Sequence, residues 1–307
     1  MGCDGVRPCE TMKKAAHEAA FLLCNSDCPS AWYGFQIKNE RGSSVATEKE
    51  LLKKFLDPLK VCKRYKPKFG QGNKEEGVSL PQFLDLYGAD PFYAWCGLNS
   101  ELMYAAHKAA GGMTSVYRQI GKGCENLFRE VIIDSTGYSD RNSAAWSYKT
   151  KTSAGKDKTL SLDGRLQFED ITNAAVKARV NDWVAEYCGI LGAEIPAHGA
   201  VFEVRQGYKS KDSKRQNGDI DNIAVAWAQG YMPVFAIFSG QIDGDLVLRY
   251  RNSRGGILVG RTDGGSTVSL FGFCKDVLGF DLADFFKRNS PTIQTEVHET
   301  LEALLNA

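Results

Sequence analysis

The chain has 307 residues, 43% of them apolar and 24% charged, with a net charge of +1. This is ordinary globular composition, long enough for one large domain or two small ones, and it rules out nucleic-acid binding through overall basicity, so any such binding must come from local clusters. No run of about 18 apolar residues predicts a membrane span, and nine scattered cysteines, an odd number, fit reduced cytoplasmic thiols better than a disulfide framework.

The opening segment, MGCDGVRPCETMKK, lacks the charged-then-apolar layout of a secretory signal. Cys3, Cys9, Cys24 and Cys28 could be read as a zinc quartet, but the paired two-residue knuckles are missing and free thiols are the simpler expectation. Residues 10–25 read as a helix with an apolar stripe, and so do 47–60, where Thr47 and Glu50 have capping-box spacing. Residues 60–72 (KVCKRYKPKFGQG) read as a basic loop with Tyr65 and Phe69 interleaved. Its Lys63, Arg64 and Lys66 are either a solvated face or contacts to a nucleic-acid backbone.

A helix over 99–110 is expected to close at Gly111-Gly112, and a second to run over about 123–134 and stop at Gly137. LSLDGRLQF (160–168) reads as strand, Asp-Gly turn, strand. Residues 171–192 form an amphipathic helix. A strand over 200–208 follows, then the loop KSKDSKRQN and a helix over 219–229. The apolar strand after that helix, 231–242, completes what a buried βαβ unit requires. Further strands are predicted at 245–251, 256–260 and 267–273, and helices at 281–288 and 292–306. Without a proline- or glycine-rich linker, residues 1–307 are expected to form one elaborated domain, with 1–114 mainly helical and 115–307 an α/β core.

The chemistry-bearing residues concentrate between 125 and 221. Glu203 lies among Val201, Phe202 and Val204, where a carboxylate is costly unless it is paired or binds a metal. Arg205 is on the same strand face, about 6.6 Å along, whereas Lys209 is about 20 Å away, so Glu203 and Lys209 flank one site only if the chain bends at Gly207. Arg205 can neutralise phosphate charge but cannot accept a proton; Lys209 or Lys211 could do either. Asp163 sits in a tight turn between two apolar runs and is either a strand-end ligand or a plain hairpin residue. Asp134, at the end of an apolar run, is its rival. Glu125, on the preceding helix, is an outer acidic group or a solvated carboxylate. Asp219 and Asp221 open the next helix as N-terminal residues, or one of them replaces Glu203 as the metal carboxylate. Lys211, Lys214, Arg215, Gln216 and Asn217 carry the side-chain types that contact phosphates and read guanine and adenine in the major groove. Carboxylates that hold one or two Mg²⁺ ions, with a cation nearby, are what phosphodiester hydrolysis needs.

With SLDGR, FEVR, the following DIDNIAVAWAQGYMPVFAIFS and the helix segment YRQIGKGCENLFR, the chain resembles the type II restriction endonucleases of the PD-(D/E)xK nuclease superfamily over roughly 115–240. The resemblance implies a restriction-endonuclease-like α/β fold, a mixed β-sheet core flanked by helices with a helical N-terminal region. It implies Asp163 and Glu203 as the metal ligands, Mg²⁺ as cofactor with Mn²⁺ able to substitute, and Glu125 as a further acidic group. It also implies a prokaryotic cytoplasmic homodimer that cuts a palindrome in double-stranded DNA. The sequence departs from the family pattern where a lysine is expected two residues after Glu203: the residue is Arg205, and the lysine role passes to Lys209 or Lys211, or in its electrostatic part to Arg205. The competing readings are a structure-directed repair or recombination nuclease of the same fold, a non-catalytic DNA-binding protein in which the acids pair with Arg205 and Arg165, and an α/β enzyme acting on a small phosphorylated substrate. The last lacks a glycine-rich phosphate loop.

Overall fold

A computed structural model describes residues 45–69, 76–151, 155–208 and 213–306. The chain divides into two units, residues 1–38 and 39–307, and all the described residues lie in the second. The helix expected over 10–25, the four cysteines read as a zinc quartet, and Lys209 and Lys211 fall outside the described residues.

Helix α1 (Glu48–Leu56) starts with the capping box that its sequence spacing predicts: the Glu50 N–H donates to Thr47 Oγ1, and the Thr47 N–H donates to Glu50 Oε2 at 2.7 Å. A 3₁₀ segment, Asp57–Arg64, follows directly, so the first residues of the expected basic loop are helical. Helices α2 (Leu80–Gly88) and α3 (Pro91–Trp95) lead into α4, a single helix over Glu101–Thr136. The expected break at Gly111-Gly112 does not occur. These glycines and Gly123 are instead close-approach positions. A Cβ on Gly111 would strike the Tyr65 hydroxyl, one on Gly112 would crowd Leu304, and one on Gly123 would collide with the Phe55 carbonyl oxygen. Helical glycine is normally unfavourable by about 0.5–1 kcal/mol, but here it admits the neighbouring chain. Gly123→Ala is therefore expected to destabilise the protein by about 1–3 kcal/mol, because α1 must move to admit the methyl group; urea unfolding measures it. The helix does end at Gly137, in the left-handed region with φ 73°.

Strands β1 (Trp146–Lys151) and β2 (Asp157–Leu162) form a two-stranded antiparallel ribbon. A four-stranded sheet has the order β3-β4-β5-β6, from Gly164–Gln167, Gly199–Arg205, Tyr231–Ile237 and Gly256–Val259. β3 is antiparallel to β4 and the other pairs are parallel, so the sheet is mixed. The Asp163-Gly164 turn is therefore not a hairpin. β2 pairs with β1 and β3 pairs with β4, and Asp163 marks the bend where the chain passes from one sheet to the other.

Helix α5 (Ala174–Leu191), α6 (Ser213–Ala228) and α7 (Gly244–Asn252) connect the strands. The segment predicted as a strand at 245–251 is α7. Leu246 and Tyr250 are buried four residues apart, and Asp243 caps the first turn through its contact with the Asp245 N–H at 2.9 Å. The strand expected at 267–273 is a helical turn, α8 (Leu270–Gly272), continuing into a π-helical stretch over Phe273–Leu278. Just before it Ser269 makes an isolated parallel bridge to Val259 of β6, and the apolar residues that follow fill the core as helix. The two expected terminal helices are one, α9 (Leu282–Asn306), with Pro291 inside it. Proline removes one helical hydrogen bond, and the buried Phe285, Thr300 and Leu304 hold both halves in place.

One sheet face, with Phe202, Val204, Met232, Val234 and Ala236, packs with residues of α4 and α5 and with Phe273. The opposite face carries Val201, Phe235 and Ile237, against residues of α6 and α7. The result is a mixed α/β architecture with helices N-terminal to the sheet. Among the described residues no helix is long and apolar enough to cross a membrane.

Candidate active site

Extending the β3–β4 register by one residue from Gly164↔Phe202 places Asp163 opposite Glu203. Two hydrogen bonds fix this bend: the Asp163 N–H donates to the Phe202 carbonyl (2.8 Å), and Asp163 Oδ2 accepts from the Val204 N–H (2.9 Å). From α4, Arg129 Nε donates to the Asp163 carbonyl at 3.0 Å. The backbone groups freed where β2 leaves for β3 are thus answered by this carboxylate and guanidinium.

Glu203 follows Phe202 on β4, and the pleat turns it to the α6 side with Val201 and Arg205. Arg205 Nη2 reaches Glu203 Oε1 at 2.7 Å and Asp219 Oδ1 at 3.0 Å. The pairing across one strand face that the sequence allows is present. Burial pushes Glu203 up to about 8; Arg205 opposes the shift, and the charges of Asp163, Asp219 and Glu125 add to it. Asp163 is pushed up to about 6 by burial and then by Glu125, against the Val204 N–H, Arg205 and Arg129. Both acids are therefore short of positive charge, and Glu125 is close enough to act on each. Asp163 Oδ1 and Glu203 Oε2 have no protein partner among the described residues.

Oxygen-only donors of this kind suit a hard divalent cation such as Mg²⁺, which keeps much of its water. Asp163 and Glu203 are a pair: among the described residues, no group of three or more His, Cys, Asp or Glu is gathered to hold an ion. A cation held by the two free oxygens would complete its shell with water and phosphate oxygens.

Glu125 is salt-bridged to Lys122 at 2.6 Å. Lys122, Glu125 and Arg129 lie at i, i+3 and i+7, one stripe of α4 facing the Asp163 bend. Lys122 and Arg129 were missed by the sequence reading, although that spacing around Glu125 was the signal. Asp134, the rival first ligand, is elsewhere: its Oδ2 accepts from the Ala46 N–H at 3.2 Å, and burial raises its pKa.

Residues 213–217 of the expected loop KSKDSKRQN (209–217) are the start of α6, and 209–212 lie outside the described residues. The structure therefore corrects the placement of Lys214, Arg215, Gln216 and Asn217 from loop to helix. The exposed Arg215 lies over the Tyr208 ring, 5.4 Å from its centroid, while Gln216 and Asn217 accept from Arg249 at 2.7 and 2.5 Å. Asp221 is exposed; Asp219 is buried. In the 3₁₀ segment, Lys63 is held by Glu296 (3.0 Å) and Glu299 (2.7 Å), which occupies a side chain expected to face DNA; Arg64 and Lys66 are exposed. Phe69, read as interleaved with the basic residues, is buried against Phe83. No family model, curated protein or solved structure matches this chain.

Proposed function

We propose that the protein is a Mg²⁺-dependent nuclease of the PD-(D/E)xK superfamily, acting as a type II restriction endonuclease on double-stranded DNA. The observation that carries this reading is the register that sets Asp163 opposite Glu203, each with a raised pKa and one carboxylate oxygen that has no partner among the described residues, beside the guanidinium of Arg205. The order α4, strands, β4, α6, β5, with acids from α4, the β2–β3 bend and β4, is compatible with a restriction-endonuclease-like core into which α5 is inserted.

In this reading Asp163 and Glu203 hold the metal, which when bound lowers the pKa of a water and relieves charge on the phosphate. Arg205 offers positive charge to the scissile phosphate and takes only the electrostatic part of the missing lysine's role, because guanidinium does not release a proton. Glu125, tethered by Lys122, adds negative potential at the mouth of the site. Arg215 and its neighbours on the first turn of α6, with Arg64 and Lys66, supply DNA contacts. A homodimer would match the two-fold symmetry of a palindrome.

The Glu203–Arg205 pair also favours a second reading, a non-catalytic DNA-binding protein in which such pairs are only structural. Arg165, the other partner that reading expects, instead lies near Asp170 at 3.6 Å and donates to the Ser143 carbonyl. Incubating the protein with a sequenced plasmid and Mg²⁺ or Mn²⁺ separates the possibilities. Discrete fragments with mapped ends are the expected result, a smear would support structure-directed cutting, and an intact plasmid in both metals would leave the binding protein.

A further inference from the structure

Arg205 has two carboxylate partners, and they differ in kind. Among the described residues Glu203 keeps an oxygen free, whereas both oxygens of Asp219 are engaged. Its Oδ1 accepts from Arg205 Nη2 at 3.0 Å, and its Oδ2 accepts from the hydroxyls of Tyr208 (2.8 Å) and Tyr250 (2.5 Å), which lie 3.0 Å from each other. Three separate pieces of chain converge here: the segment after β4, helix α6 and the last turns of α7. Asp219, Tyr208 and Tyr250 are all buried, so the cluster is rigid and dry. The Tyr208 ring also carries the Arg205 guanidinium 5.7 Å from its centroid. On the other side of the ledger, Arg205 Nε is a buried donor with no acceptor among the described residues. A buried N–H without a partner is costly, so this edge of the guanidinium is held in place by the Nη2 contacts and not by an acceptor of its own.

We propose that Asp219, braced by Tyr208 and Tyr250, is the positioning residue of the cleavage site: it anchors Arg205 so that the guanidinium charge stays beside the scissile phosphate while Glu203 exchanges its partner. The inference rests on the nuclease reading. A guanidinium held only by Glu203 would lose its place when that carboxylate turned to another cation. Held by Asp219 as well, through the same Nη2, it stays. The engagement of both Asp219 oxygens likewise explains why it does not replace Glu203 as a ligand.

The test is a double-mutant cycle on single-turnover DNA cleavage at saturating DNA with Mg²⁺, using Asp219→Asn, Arg205→Lys and the pair. Asp219→Asn keeps the shape and removes the charge. Its cleavage rate is expected to fall about 10–100-fold, as for other groups that orient a reacting residue, with metal-free DNA affinity unchanged. Because the effect passes through Arg205, adding Asp219→Asn to Arg205→Lys is expected to cost less than about twofold more. A second readout needs no activity: the ¹⁵Nε–¹Hε resonance of Arg205, identified by its absence in Arg205→Lys, should be sharp in the metal-free wild type and broadened in Asp219→Asn. Multiplicative losses in the double variant, or a wild-type rate in Asp219→Asn, overturn the proposal. If Asp219→Asn does not fold, Tyr250→Phe serves in its place, with a smaller fall in rate supporting the proposal and an unchanged rate overturning it. A wild-type protein that cuts nothing refutes the nuclease reading itself, a result distinct from cutting that is indifferent to Asp219.

Discussion

On the nuclease reading proposed above, Asp163→Asn is expected to abolish DNA cleavage, by at least about 10²–10³-fold, the loss that follows removal of one preorganised charge-stabilising group, while leaving the fold and the affinity for DNA nearly intact. The reason lies in the division of labour between its two oxygens. Oδ2 accepts from the Val204 N–H and closes the bend between the two sheets, whereas Oδ1 has no protein partner among the described residues. An asparagine can place its oxygen on Val204 and keep the bend, but its amide nitrogen cannot ligate a metal. Asp163→Ala removes both functions. It leaves the Val204 N–H unanswered in a buried place, at a cost of about 1–3 kcal/mol. The two substitutions should therefore be alike in cleavage assays and unlike in urea unfolding. An asparagine variant that cuts at the wild-type rate would show that Asp163 serves the fold alone. An alanine variant as stable as the asparagine one would show that the Val204 contact carries no weight.

The same residue shows what the sequence could and could not reveal. Asp163, Glu203 and Arg205 were legible because a carboxylate inside an apolar strand and a carboxylate in a tight turn between apolar runs are both local oddities. The register that joins Asp163 to Glu203 was not, because α5 separates their strands and pairing of remote strands leaves no local trace. The stretch around Asp163-Gly164 reads as a hairpin, and only the partners of β2 and β3 show that it is not one. Residues 245–251 read as a strand because their apolar residues fit both periods; the buried Leu246 and Tyr250 and the Asp243 cap settle it as a helix. Glycines 111 and 112 look like a helix stop in isolation, and Gly123 like the start of a second helix. They are contact points, legible only with Tyr65, Leu304 and Phe55 beside them. Tyr208 and Tyr250 carry no motif at all. Their role depends on a buried aspartate that the sequence presented as a helix-start residue.

Arg205→Met is expected to give the largest loss of stability, about 3–5 kcal/mol, because it strips the cation from a buried cluster and leaves Asp219, and above pH 8 Glu203 as well, without its partner. Arg205 and both its partners are well shielded, with side-chain exposures of 16%, 15% for Glu203 and 5% for Asp219, so solvent screening does little to soften the change. The pH dependence has a definite sign. Glu203 has an ordinary value of 4.5 and is pushed up by burial to about 8 in the fold, so over that range the folded protein holds a proton that the unfolded chain has released. The stability this group contributes is complete below pH 4.5 and is lost as pH rises to 8. In the wild type the decline ends near pH 8, where the ionised carboxylate meets Arg205. In Arg205→Met nothing meets it, burial keeps the proton on to higher pH, and stability should continue to fall. The gap between the two proteins, followed by urea unfolding from pH 5 to 10, is therefore expected to widen above pH 8. Parallel curves there would mean that Arg205 does not compensate Glu203. Mg²⁺ provides the final contrast: a cation taken up by Asp163 and Glu203 replaces part of the lost charge and should narrow the gap, and a gap indifferent to Mg²⁺ would remove the metal from this pair of carboxylates.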